Sequence, residues 1–277
     1  LADGPLTVTA SVSDAAGNPA TATDTAALDT TAAITVNLDD VNSGNVGAAP
    51  ITGTTAGVEA GQTVTLVITD GTATVTVTAV VNPDGSYSTT ADLSGLADGP
   101  LTVTASVSDT AGNPATATDT AALDTTAAIT VSLEDVNSGS AAAAPITGTT
   151  NGVEAGQTVT LQITDGTTTV TVAAVVNPDG SYSTTADLSG LADGPLTVTA
   201  TVSDAAGNPA TATDTAALDT AAAITVSLED VNGGNVGAAP ITGTTTGVEA
   251  GQTVTLAITD GTATVTVTAV VNPDGSY

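Results

Sequence analysis

The groups in this sequence that could do chemistry are carboxylates and little else. The 277-residue chain carries 29 Asp and Glu and no Lys, Arg or His, for a formal charge of −29. Cys, Met, Trp and Phe are absent, and Tyr occurs three times. Carboxylates alone do not make a catalyst here. No side chain is present to act as a basic general base, a thiol or amine nucleophile, or a cationic oxyanion clamp. A carboxylate pair of the glycosidase type remains conceivable, but no cleft is implied and each acid recurs in every copy of a repeat. The chain is therefore read as not an enzyme. Nucleic acid is excluded as a partner, because phosphates require basic residues. Without cysteine there is no disulfide or thiol chemistry, and without lysine no lysine–asparagine isopeptide crosslink. No salt bridge between side chains can form, which leaves backbone N–H groups, water and external cations to answer the acids.

The elements that position these acids are strands. The chain is dense in Val, Thr and Ile, the residues that suit a pleated surface, and too rich in them for a disordered acidic tail. No apolar run approaches the ~18 residues of a membrane span, so no membrane insertion is expected. There is no basic, apolar leader at the start. The expectation is a window cut from a longer protein, because the opening LADGPLTV returns in mid-sequence.

LADGPLTVTA begins at Leu1, Leu96 and Leu191, a period of 95 residues. That is too long for a solenoid unit and suits an independent domain. Within one period, strand signals fall at 33–38, 50–55, 63–69, 72–81, 86–91, 101–109 and 114–123. Asp70-Gly71 predicts a two-residue type I′ hairpin, and Asn82-Pro83-Asp84-Gly85 a turn. The expected fold is all-β: tandem seven-strand immunoglobulin-like β-sandwiches in a linear rod, each about 40 Å long from strands rising ~3.3 Å per residue. The frame gives C-terminal strands of a truncated domain at 1–32, full domains at 33–127 and 128–222, and N-terminal strands of another at 223–277. Alternation turns Val64, Leu66, Ile68, Val103, Ala105 and Val107 inward. Positions that vary between copies, such as Val67/Gln162/Ala257 and Thr78/Ala173/Thr268, should face water.

In such a sandwich the turns alternate between the two ends. One end of the domain at 33–127 then carries Asp39, Asp40, Asp70, Asp92, Asp98 and Asp124. The opposite end of the next carries Glu154, Asp179, and Asp204 with Asn208. The linker DTTAA is short, so acids of both ends should converge on one junction. Such a cluster calls for a cation, and oxygen-only ligation is the preference of Ca²⁺ at six to eight ligands. Mg²⁺ is less suited because it keeps its waters, and zinc or copper would want His or Cys. The plainer reading is that aspartate is a good turn residue, which accounts for Asp70 and Asp84 by itself.

The motifs LADGPLTVTA, S-D-x-A-G-N-P and LDTTAAITV, at this spacing, resemble the bacterial Ig-like repeats of giant type I-secreted biofilm adhesins, the RTX adhesin group. The resemblance covers the whole chain. It implies extender modules, secreted to the bacterial cell surface, that hold a distal binding region away from the membrane, with calcium at the linkers stiffening the rod. It implies calcium ligands at the linker aspartates Asp29, Asp124 and Asp219, at Asp3, Asp98 and Asp193 of LADG, and at Asp14, Asp109 and Asp204 of S-D-x-A-G-N. Family linkers often carry a proline after D-T-T, and alanine takes its place here (Ala32, Ala127, Ala222), which implies a less stiff joint at which calcium matters more.

The expected partners are neighbouring repeats of the same chain. Two other classes fit the sequence. The stubs at 1–32 and 223–277 together lack only the strand equivalent to 86–91, so strand addition between chains could build a filament or sheath. The row Thr72, Thr74, Thr76, Thr78 could present hydroxyls to ice or carbohydrate, although Thr is also the ordinary solvent-face residue of a strand.

Overall fold

A computed structural model describes residues 1–277. The chain forms two compact units. The first comprises Leu1–Ala127 together with the loop Asp204–Asn208, and the second comprises Ala128–Ser203 and Pro209–Tyr277.

The first unit opens with a hairpin, β1 (Gly4–Ser13) against β2 (Pro19–Leu28), paired from Gly4↔Leu28 to Ser13↔Pro19. Eight segments follow: β3 (Ala33–Ile34), β4 (Asn37–Leu38), β5 (Ala49–Ala56), β6 (Thr63–Thr69), β7 (Thr74–Val80), β8 (Ser86–Ala91), β9 (Gly99–Ser108) and β10 (Pro114–Leu123). They form two sheets. β3, β4 and β8 all pair with β5, and the second sheet runs β10-β9-β6-β7. A parallel bridge from Val41 to Leu123 adds the chain beyond β4 to the edge of the second sheet. With β3 and β4 counted as two halves of one edge strand, this is the seven-strand immunoglobulin-like sandwich.

The core lies between the sheets. Val64, Leu66 and Ile68 of β6 meet Leu101, Val103 and Ala105 of β9 and Ile51 and Tyr87 of the facing sheet, all buried. Alternation fixes this register, since a slip of one residue would exchange the two faces. Outward positions behave accordingly. Gln162, Ala257, Thr78, Ala173 and Thr268 are exposed, whereas Val67 is half-buried.

The break between β3 and β4 has a local cause. The Thr35 hydroxyl, not its carbonyl, accepts the Thr54 N–H at 3.0 Å. That frees the Thr35 carbonyl to accept the Tyr87 hydroxyl. Gly53 makes this possible: a Cβ there would overlap both the Thr35 carbonyl and the Tyr87 ring.

One turn differs from its expectation. Thr69 pairs with Thr74, so β6 and β7 are joined by the four residues 70–73 and not by a two-residue Asp70-Gly71 turn. Type I′ needs positive φ at both central residues, and here only Gly71 has it, at +91°. Asp70 serves as an acceptor instead. Its Oδ1 takes the N–H groups of Thr72 and Ala73, each at 2.7 Å, and the Thr72 hydroxyl at 2.8 Å. Thr72 thus belongs to the loop, and the exposed hydroxyl row on β7 is Thr74, Thr76 and Thr78. The Asn82–Gly85 turn forms as read, with the Gly85 N–H on the Asn82 carbonyl at 2.9 Å.

The second unit repeats the sandwich: β11 (Ala128–Ile129), β12 (Ser132–Leu133), β13 (Val136–Asn137), β14 (Ala144–Asn151), β15 (Thr158–Thr164), β16 (Thr169–Val175), β17 (Ser181–Ala186), β18 (Gly194–Ser203) and β19 (Pro209–Asp219). β11, β12 and β17 pair with β14, and the other sheet runs β13-β19-β18-β15-β16. Six further strands follow: β20 (Ala223–Ile224), β21 (Ser227–Leu228), β22 (Ile241–Thr242), β23 (Thr245–Thr246), β24 (Thr253–Thr259) and β25 (Thr264–Val270). They pair only as β20-β23, β21-β22 and β24-β25. Ile224 and Leu228 are exposed here, whereas their counterparts Ile34 and Leu38 are buried under the partners that β9 and β10 provide.

Candidate functional site: the linker carboxylates

The nine aspartates singled out by sequence fall into two triplets, a pair and a single residue. Eight of them meet at the linker that follows each last strand.

In the first unit, Asp98 lies in the loop before β9. Its Oδ1 accepts the Thr125 N–H at 3.2 Å and the Thr125 hydroxyl at 2.9 Å, and its Oδ2 accepts the Thr126 hydroxyl at 3.2 Å. Asp124 opens the same linker and takes the Thr126 N–H at 3.3 Å. Asp204 reaches this linker through Asn208. The Asn208 amide donates to Asp204 Oδ2 at 2.7 Å and to the Asp124 carbonyl at 2.9 Å. Asp98, Asp124 and Asp204 therefore form one constellation around residues 124–126.

The same pattern stands around residues 29–31. Asp3 accepts the hydroxyls of Thr30 at 2.7 Å and Thr31 at 3.0 Å. Asp29 takes the Thr31 N–H at 3.4 Å, and the Asn113 amide joins Asp109 Oδ2 at 2.7 Å to the Asp29 carbonyl at 3.1 Å. In the second unit, Asp193 holds only the Thr220 N–H and hydroxyl, at 3.0 and 2.9 Å. The next residue is Ala221, whose N–H goes to Asp219 at 3.3 Å. Asp14 bonds within its own loop, to the Ala16 and Asn18 N–H groups and the Asn18 amide.

The electrostatics follow from these donors. Hydrogen bonds to the ionised form favour it. The Thr30 hydroxyl holds Asp3 below the ordinary carboxylate range, and the side-chain amides of Asn18 and Asn113 do the same for Asp14 and Asp109. Asp70 and Asp165 lie further down still. Besides their own loop, each accepts an N–H from 27 residues away, Ala97 and Ala192, and that donor is the largest influence. Asp260 is lowered to about 2, chiefly by the Ala263 N–H.

Not every acid expected at the junction joins it. Asp40 accepts the Ala122 N–H, Asp92 the Ser94 N–H and hydroxyl, Asp39 the Asn37 amide, and Asp179 the Ser181 N–H and hydroxyl. Nor do three acidic side chains anywhere close into a cage for a metal ion. The carboxylates have found donors in loop backbone, hydroxyls and amides. The oxygens around 124–126 are three carboxylates, a main-chain carbonyl and two threonine hydroxyls. That chemistry fits a hard cation such as Ca²⁺ and no thiolate- or imidazole-seeking metal.

Sequence reasoning missed two acids with structural work. Asp119, in mid-strand on β10, accepts the Leu38 N–H at 3.0 Å from the other sheet, and Asp214 does the same for Leu133. Their position in a strand rather than a turn was the available signal.

No protein-family model matches the chain, and a search of curated proteins gives no match. Among solved structures, a tetra-tandem repeat from the extending region of a large adhesion protein is 39% identical over 100% of this chain and 73% of that one, with a TM-score of 0.37. The chain belongs to the tandem repeats of large bacterial adhesins. An adhesin described as Ca²⁺-stabilised, by which an Antarctic bacterium reaches out and binds ice, is 28% identical, covering 99% of this chain and 72% of that one, at TM-score 0.42. A bacterial immunoglobulin-like domain from the M. primoryensis ice-binding adhesin is 30% identical over 34% of this chain and 99% of that one, at TM-score 0.27. The tandem repeat of the large adhesion protein points to linkage between adjacent repeats of one chain, and self-association into filaments is not supported. No helix of this adhesin segment is long and apolar enough to cross a membrane.

Proposed function

We propose that this chain is an extracellular spacer in a bacterial surface adhesin, with calcium stiffening the linkers, in the service of cell adhesion and biofilm formation. Its modules are the repeats at 33–127 and 128–222, flanked by partial ones at 1–32 and 223–277. The observation that carries the reading is the constellation of Asp98, Asp124 and Asp204 around one linker, repeated by Asp3, Asp29 and Asp109. Near-identical copies suit a task in which every unit does the same mechanical work.

The calcium ligands proposed are Asp3, Asp29 and Asp109 at the first linker, Asp98, Asp124 and Asp204 at the second, and Asp193 and Asp219 at the third, with Asp14 the equivalent position of the leading hairpin. Calcium would add charge neutralisation to a chain with no bases, in which self-repulsion weakens the compact state. Extracellular calcium modules bind at about 10⁻⁴–10⁻³ M, so occupancy would follow the medium.

The test is X-ray scattering in calcium. Asp124→Ala and Asp219→Ala should each shorten the maximum dimension by loosening a linker. Curves that match the parent chain would remove the linker aspartates from the account.

A further inference from the structure

Asn208 is a buried polar side chain, 1% exposed. An asparagine side chain offers two N–H donors and an acceptor oxygen, and here all are used. Nδ2 donates to Asp204 Oδ2 at 2.7 Å and to the Asp124 carbonyl at 2.9 Å. Oδ1 accepts the Ser43 N–H at 2.7 Å. The orientation of the amide is forced, because Nδ2 faces only acceptors and Oδ1 faces a donor. Asn42 adds a parallel bond, its amide donating to the Ala206 carbonyl at 2.7 Å.

Local sequence builds this arrangement. Asp204 Oδ1 accepts the Asn208 N–H at 2.8 Å, and Gly207, at φ +91°, turns the loop back so that residue 208 lies over residue 204. The loop with Asp109 and Asn113 is closed the same way, and the Asn113 amide reaches the Asp29 carbonyl across the same sequence distance of 84 residues.

We infer that Asn208 is a metal-independent latch, its amide fastening the linker at Asp124 and the loop at Ser43 to the loop 204–208. The amide supplies the two hydrogens that let the Asp204 carboxylate and the Asp124 carbonyl approach without a cation. A carboxylate at 208 could not, since it would bring a further acceptor to a place already made of acceptors. The latch stands independently of the calcium reading.

The experiment is amide hydrogen exchange at Ser43 in the full chain, with ¹⁵N-serine labelling and excess EGTA throughout. The Ser43 signal is assigned by its loss in Ser43→Ala. The parent should protect Ser43 about tenfold more than Asn208→Ala or Asn208→Asp, the upper end of what one neutral hydrogen bond contributes. Asn113→Ala should leave Ser43 protected and so separates the latch from general loosening. If Ser43 in the unmodified parent exchanges in EGTA as fast as in Asn208→Ala, the latch is overturned whatever the variants do. A protected Ser43 with a melting temperature indifferent to EGTA keeps the latch and removes calcium. Protection that exists only with calcium does the reverse.

Discussion

Asp98 accepts the hydroxyl of Thr125 at 2.9 Å, across 27 residues of sequence. The equivalent bond from Thr220 to Asp193 is also 2.9 Å, but the linkers are not equal. Asp98 has a second hydroxyl in Thr126, and Asp193 meets Ala221 in that place. Asp98→Ala should lower the melting temperature of its domain by about 4 °C, the order of one net hydrogen bond in a domain of this size. Asp193→Ala should cost less, and Ala221→Thr should raise the melting temperature. Calorimetry of the three variants checks the order; equal effects at both aspartates would show that the second hydroxyl contributes nothing.

Tyr87 and Gly53 form a single packing device. Tyr87→Phe removes the hydroxyl that pairs with the Thr35 carbonyl and should cost about 0.5–1.5 kcal/mol in denaturant melts. Gly53→Ala forces a methyl into the Tyr87 ring and the Thr35 carbonyl, and should cost at least as much, since overpacking a tight site costs typically about 1–3 kcal/mol. Burial also pushes the Tyr87 and Tyr182 hydroxyls up to about 12. An unfolded tyrosine releases its proton near 10, so above that pH the native state holds protons the unfolded state has lost. Stability should therefore fall as pH rises past about 10.

At the acid end the sign is reversed in origin and similar in effect. Asp3, Asp14, Asp70, Asp84, Asp92, Asp109 and Asp119 are all held below the ordinary value by hydrogen bonds to their charged forms. The unfolded chain then binds more protons than the native one as pH drops through about 4. Their contribution is full above that point and is lost below it, through the lowered native values. Thermal melts should be flat between about pH 5 and 8 and decline below about pH 4. A melting temperature that rises on acidification would mean that relief of the net charge outweighs these bonds.

The fold was legible because strand alternation and a 95-residue repeat both report on burial. Val64, Leu66 and Ile68 alternate with threonine and valine, and only one register buries them. The Asp70 loop was misread for a physical reason. Asp-Gly favours type I′ when aspartate only has to tolerate positive φ, but Asp70 accepts three donors in its own loop and one from Ala97, and that outweighs the two-residue turn. At the linkers, spacing revealed which aspartates share an end of the sandwich. It placed Asn208 beside Asp204, but it could not reveal that the Asn208 and Asn113 amides carry the contacts to the linker carbonyls, because a side-chain amide leaves no trace in charge.

The role proposed for calcium is to neutralise carboxylates gathered at the linkers. The measurement that tests it most directly is thermal unfolding of the whole chain in millimolar Ca²⁺, in EGTA, and in EGTA followed by excess Ca²⁺ or Mg²⁺. Calcium at about 100 times its dissociation constant adds about 2.7 kcal/mol, which in a domain near 100 residues is a shift of roughly 10–20 °C. A fall of that size in EGTA is expected, recovered by Ca²⁺ and poorly by Mg²⁺. Coincident curves in calcium and in chelator would contradict it and leave the aspartates as turn-forming residues alone.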